Sequence, residues 1–154
     1  MTPLLAVQAL CCRFDTARGT THAVRDATLE VWPGETVGLV GESGCGKSTL
    51  ARSIVGLHRP ASGSVRLGGQ ELLTKSGGGM TAEQRRTVQF VFQDPFSSLN
   101  PRRTVAALIR EPLDVHRVGT GAERRRRVAE LMDQVGLRPE WGRRRPHEFS
   151  GGQR

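Results

Sequence analysis

Tyrosine is absent from this 154-residue chain, and phenylalanine and tryptophan together bring the aromatic share to only 5%. A surface that grips single-stranded nucleic acid by stacking bases on interleaved rings is therefore not available, even though the net charge is +8. Lysine is nearly absent as well, Lys47 and Lys75 being the only two, so arginine carries almost all the positive charge. The arginines fall in short groups: Arg85-Arg86, Arg102-Arg103, Arg124 to Arg127 and Arg143 to Arg145. Such groups fit a solvated or protein-docking face, and no nucleic-acid partner is expected. The three cysteines, Cys11, Cys12 and Cys45, form neither a disulfide framework nor a zinc pattern, and read as free thiols in a reducing compartment. No run approaches the roughly 20 apolar residues that a membrane helix needs. Met1 to Val7 lacks the basic start and long apolar stretch of a secretory signal. These absences point to a chain in the cytoplasm, or one that reaches a membrane by docking to a partner.

What is present suits one ordinary domain, with 36% hydrophobic residues and 19 glycines. Leu4 to Arg13 reads as a strand, and Asp15 to Thr20 as a polar turn. Ala27, Leu29 and Val31 alternate with Thr28, Glu30 and Trp32 as in a half-buried strand, closed by Pro33-Gly34. The short apolar run Thr36 to Val40 is expected to be a buried strand. Ser48 to Leu57 is a predicted helix with Leu50, Ile54 and Leu57 on one face. Val65 and Leu67 mark another strand, Ser76 to Gly79 a flexible loop tip, and Thr87 to Phe92 a further apolar strand. Helical character follows. Val105 to Leu113 is a helix candidate stopped by Pro112. Thr120 to Glu123 has the spacing of a capping box, in which side chain and backbone at a helix start satisfy each other. It opens a helix with Val128, Leu131, Met132 and Val135 on one face, ending at Gly136. The organisation expected is a β-rich core over residues 1–93 and a small helical subdomain over 94–150.

The most informative segment is Gly41-Glu42-Ser43-Gly44-Cys45-Gly46-Lys47-Ser48, which fits Gly-x4-Gly-Lys-[Ser/Thr] in full. A polyphosphate is a dense anion that needs many donors close by. Glycines let backbone N–H groups turn inward with no Cβ in the way, and the helix start adds its free N–H groups and positive end. Lys47 supplies a mobile charge for the β- and γ-phosphates, Ser48 a hydroxyl for Mg²⁺, and Thr49 one for the α-phosphate. A short apolar strand before the loop and a helix after it supply the context this motif requires. A loop of this kind serves kinases, GTPases, helicases and transporter ATPases alike.

Two later motifs narrow the choice. Phe92-Gln93-Asp94-Pro95 resembles the Q-loop of ABC ATPases, and Phe149-Ser150-Gly151-Gly152-Gln153-Arg154 resembles the ABC signature. Val91 to Arg102, Glu111-Pro112-Leu113 and Pro146 to Arg154 are similar to the ATP-binding subunits of oligopeptide, dipeptide and nickel importers. The resemblance implies an α/β fold: a P-loop NTPase core with an N-terminal antiparallel β part and a small helical subdomain. It implies ATP and Mg²⁺ as ligands. It also implies a second ATPase subunit, two membrane permeases and an extracytoplasmic solute-binding protein as partners, with the chain on the inner face of the cell membrane. By the same resemblance, Phe14 stands where an aromatic stacks on adenine; a ring alternating out of a strand can also serve the core. The backbone of Ser43, Gly44, Cys45 and Gly46, with Gly41, Lys47, Ser48 and Thr49, would hold phosphates. Gln93 would reach Mg²⁺ and the attacking water. Ser150, Gly151, Gly152 and Gln153 would meet the nucleotide bound on the partner subunit.

A member of that family continues past the signature into an apolar strand ending in Asp-Glu, which residues 1–154 do not contain; Glu42, Glu148 and His147 occupy other places. The expectation is an ATPase as the complete protein, with negligible turnover by residues 1–154 alone and an apolar edge at Thr36 to Val40. Two other readings share these motifs: a non-catalytic nucleotide-binding fragment, and a non-transport ABC-type ATPase.

Overall fold

The computed structural model describes residues 2–17, 19–72, 79–94 and 98–154. The chain divides into two compact units, Met1–Phe90 and Val91–Arg154.

The first unit is built on a four-stranded antiparallel sheet. Strand β1 (Leu5–Thr16) pairs with β2 (Gly19–Val31) on one side and with β3 (Ser62–Leu67) on the other; β4 (Gln70–Glu71) closes the edge, giving the order β2-β1-β3-β4. The alternation read from Ala27 to Val31 is present as half-buried and exposed positions in turn. At its far end, Leu5 faces Val31 across β2 and Leu67 across β3. Register shifts between Val7 and Arg13 bend β1 and let Cys12 turn inward while Cys11 stays half-buried. Helix α1 (Lys47–Ile54) lays Leu50 onto this sheet, where it joins Val7, Leu10, Cys12, Val24, Val65, Leu72 and Met80 in one buried cluster. Ser53, fully buried on the same face, meets the Cys12 thiol at 3.1 Å, so the one polar side chain that α1 buries has a partner.

A short helix, α2 (Ala82–Thr87), was not foreseen. Its signal was present as Thr81 and Gln84 at capping-box spacing, and both reciprocal bonds form: Gln84 N–H donates to Thr81 Oγ1, and Thr81 N–H to Gln84 Oε1.

Two expected strands are corrected. Thr36 to Val40 lies outside any strand, and Val37, Leu39 and Val40 are exposed, Val40 to 92%. Residues 88–92 likewise belong to no strand, with Val91 exposed to 93%. Apolar, β-branched composition favours an extended chain but does not supply the ladder partner that makes it a strand. Among the described residues no strand pairs with Thr36 to Val40. Of the Ser76 to Gly79 loop, only Gly79 is among the described residues.

The second unit is helical. Helix α3 (Val105–Val115) starts at Thr104, whose hydroxyl accepts from Ala107 N–H. It runs through Pro112 rather than stopping there. The proline forfeits one N–H near the end of the helix, where its own carbonyl still accepts from His116 at 3.0 Å, so the loss is a single bond. Helix α4 (Gly121–Gln134) opens with the anticipated capping box: Thr120 N–H donates to Glu123 Oε2 at 2.6 Å, and Glu123 N–H to Thr120 Oγ1 at 3.3 Å. Val128 and Met132 are buried, whereas Val135 lies past the last helical turn and is exposed to 70%. Three single turns of 3-10 helix complete the unit, Pro139–Arg143, Pro146–Glu148 and Gly151–Gln153.

The arginines of this unit are largely occupied. Arg124 donates to Asp114 and to the carbonyls of Val118 and Gly119, Arg110 reaches Asp114, and Arg126 and Arg127 reach Glu130. The hydrogen bond from Arg124, followed by that from Arg110, holds the Asp114 carboxyl below the ordinary range. The Thr120 N–H, then its hydroxyl, does the same for Glu123.

Two measurements test this account. Leu50→Ala should cost about 2–5 kcal/mol in chemical denaturation, because it leaves a cavity between α1 and the sheet. Glu123 should titrate below its unfolded value of about 4.3 by NMR. A depressed folded pKa means that the contribution of the cap is present above the unfolded value. It is lost as pH falls through the folded one, so α4 should fray from its N-terminus in acid.

Candidate nucleotide-binding loop

The segment Gly41 to Gly46 leads directly into α1. Cys45 N–H bonds back to Glu42 C=O at 3.3 Å and curls the loop into a turn. Gly44 at φ +81° and Gly46 at φ +99° sit in left-handed conformations that residues with a Cβ seldom adopt. Gly46 is also the N-cap of α1, with no side-chain cap and no acidic residue in the first turn, so nothing negative competes for the positive end of the helix. Its need for glycine is steric as well: a Cβ there would stand 2.1 Å from the Ala23 carbonyl oxygen of β2. The close approach presses the start of the helix against the hairpin and fixes where the loop opens.

Lys47 folds over this turn. Its ammonium donates to the carbonyls of Gly41 at 2.7 Å and Glu42 at 2.6 Å, with Cys45 Sγ at 3.5 Å. Both carbonyl acceptors are neutral. A phosphate oxygen presented at the same place would replace them with charge-assisted bonds, roughly twice as strong. Ser48 is exposed and Thr49 half-buried on the first turn of α1. Among the described residues, no three His, Cys, Asp or Glu side chains gather as a metal site. The arrangement fits a Mg²⁺ ion that keeps most of its water and arrives on phosphate oxygens.

Phe14 lies in β1 opposite Thr21, outside the buried cluster and 38% exposed. Its ring meets His58 edge to face, with centroids 5.4 Å apart. No pattern in the sequence marks that imidazole neighbour, which lies 44 positions away in the chain. Phe14 and the loop belong to the first unit; Gln93 and the Ser150 to Gln153 segment belong to the second. Gln93 is exposed at a bend; Pro95 to Ser97 fall outside the described residues. Phe149 is buried, and Ser150 caps the single turn Gly151–Gln153, its N–H donating to Gln153 Oε1 at 3.0 Å. A Cβ at Gly151 or Gly152 would meet nothing within 4 Å, so the turn faces open space.

A glycine loop that curls ahead of a sheet-anchored helix, with a lysine at the first helical position, defines a P-loop protein of α/β class. Comparison with known proteins takes the assignment further. The ABC transporter family matches residues 24–154, and the chain belongs to that family. It is 49% identical over 152 residues to the oligopeptide transport ATP-binding protein OppF of Bacillus subtilis, covering 98% of this chain and 50% of that protein. It is 46% identical over 159 residues to the glutathione import ATP-binding protein GsiA of Salmonella typhimurium, covering 99% of this chain and 25% of that protein. The chain thus spans half or less of the length of these relatives. Among solved structures, the dimeric post-hydrolysis ATP-binding cassette MJ0796 bound to ADP and Pi superposes with a TM-score of 0.77. The match is at 26% identity, over 97% of this chain and 64% of that one. The cassette cbiO1 of Clostridium perfringens, part of the cbiONQ transporter complex, gives a TM-score of 0.72 at 25% identity, over 99% of this chain and 58% of that one.

Gly46→Ala should place a methyl group against the Ala23 carbonyl in a disfavoured backbone region. We expect a loss of at least about 2 kcal/mol in unfolding free energy and a weakened nucleotide site. Gly44→Ala, where a Cβ would meet nothing within 4 Å, should show the backbone penalty alone and lose less.

Proposed function

We propose that this chain is the nucleotide-binding part of an ABC importer ATPase that takes up small peptides or similar solutes. The observation that carries the reading is the Gly41 to Thr49 loop, a glycine turn at the start of α1 with the Lys47 ammonium folded over it. The names of the relatives supply the transport context: one serves oligopeptides and the other glutathione, itself a peptide. In this reading ATP is the ligand of the loop. Lys47 leaves its carbonyl partners for the β- and γ-phosphates, Ser48 joins Mg²⁺, Thr49 meets the α-phosphate, and Phe14 offers its exposed face to adenine. When bound, Mg²⁺ neutralises phosphate charge and fixes its geometry.

In this reading residues 1–93 hold nucleotide, and residues 94–150 form the subdomain that faces a permease. Gln93, at their junction in sequence, senses the γ-phosphate, the metal and the attacking water. Ser150 to Gln153 meet the nucleotide held by a second ATPase subunit, so ATP stabilises closure of a dimer and hydrolysis releases it. Closure can shift only by the difference in affinity of the open and closed states for the γ-phosphate. Two permeases and a solute-binding protein complete the transporter, and the chain works on the cytoplasmic face of the membrane. Among the described residues no helix is long and apolar enough to cross a membrane. Hydrolysis and import are activities of the whole protein; binding is the task of these residues.

Calorimetry with ATP and ADP tests the reading. Lys47→Ala should lower affinity by at least about tenfold, as expected for loss of a charge-assisted contact. Ser48→Ala should weaken binding of the Mg²⁺ complex while leaving metal-free nucleotide within about twofold. Well-folded protein that takes up neither nucleotide at millimolar concentration would overturn it.

A further inference from the structure

We infer that Trp141 is a positioning residue for the Ser150 to Gln153 turn; the inference rests on the reading that this turn meets a nucleotide on a second subunit. The turn cannot hold its own place. Gly151 and Gly152 carry no side chain and border open space, and the Ser150–Gln153 bonds are internal to the segment. The side chain that anchors its entry is Phe149, which is buried and contacts Trp141 edge to face at 6.1 Å and 71°.

Trp141 is in turn fixed from several sides. Two guanidinium groups lie against its ring, Arg144 at 4.7 Å and Arg138 at 5.6 Å from the centroid. The turn that carries it is seated on the helices of the second unit. Gly142 is buried, and a Cβ there would stand 3.1 Å from Ala106 Cβ on α3 and 3.5 Å from Met132 Sδ on α4. The Arg144 carbonyl accepts Val105 N–H at 2.8 Å, which ties the same turn to the start of α3. A continuous set of contacts therefore runs from α3 and α4 through Trp141 to Phe149 and the backbone of Ser150. Arg154 closes the far side by donating to the Phe149 carbonyl at 3.0 Å. Trp141 touches no nucleotide in this scheme; it sets where the serine and the two glycines point.

The test uses the full-length protein and compares Trp141→Ala, Trp141→Phe and Arg144→Gln. ADP binding reads the loop of one subunit; ATP-driven dimer formation, followed by sedimentation, reads the turn. Trp141→Ala should leave ADP affinity within about twofold and weaken ATP-driven association by about tenfold or more, the scale of a ring contact plus two cation–π contacts. Trp141→Phe, which keeps a ring against Phe149, should recover most of the loss. Arg144→Gln, which keeps the backbone bond to Val105, should fall between. A purely structural residue would lower thermal stability and ADP binding together, and that result would overturn the inference. So would a Trp141→Ala protein that dimerises as the unaltered one does, or a Trp141→Phe protein as defective as the alanine variant. If the alanine variant does not fold, the other two decide: association like that of the unaltered protein in both overturns the inference, and selective weakening in Arg144→Gln supports it. Should the unaltered protein bind ADP yet fail to associate with ATP, the reading of the turn itself falls before any variant is compared.

Discussion

The arrangement depends on one close contact, the approach of Gly46 to the Ala23 carbonyl where α1 meets the β1–β2 hairpin. A helix start can bind an anion only if its N–H groups face solvent and its body is held still. Leu50 and Ser53 hold the body: one is buried in the apolar cluster, and the other bonds to Cys12. Gly46 holds the start, at a spacing that no residue with a Cβ could match. Lys47, the first helical residue, is left with only uncharged partners, the carbonyls of Gly41 and Glu42 and the Cys45 sulfur.

The second unit solves a different problem with different means. Helix α4 carries four consecutive arginines, and among the described residues of this unit burial is confined to Val128, Met132, Gly142, Pro146 and Phe149. Guanidinium groups take over part of the structural work, which the single point charge of lysine does less well. Arg124 closes the connection between α3 and α4 through two carbonyls and Asp114. Arg138 and Arg144 both lie against the Trp141 ring. The net charge of +8 thus reflects in part the way this unit is held together.

Legibility in the sequence followed the range of the interactions involved. The capping box at Thr120 and Glu123, the alternation from Ala27 to Val31 and the glycine pattern of the loop are local: each is decided by residues within a few positions of one another, and each formed where it was read. The capping box at Thr81 and Gln84 is equally local, and the apolar residues that follow it have the composition of a strand without a ladder partner. Thr36 to Val40 shows the opposite case. Its composition is that of a buried strand, but burial and pairing come from neighbours, and no strand pairs with it among the described residues.

By itself the sequence determined the glycine turn ahead of α1, the family and the capping boxes at Thr81 and Thr120, because backbone freedom at glycine and hydrogen bonds over three residues need no distant partner. Only the tertiary structure decided that Cys12 faces Ser53, that Ala23 explains the glycine at position 46, that His58 stands against Phe14 and that Trp141 braces Phe149. Each of these joins residues brought together by chain folding, and side-chain packing between separate elements leaves no periodic mark in the order of the amino acids.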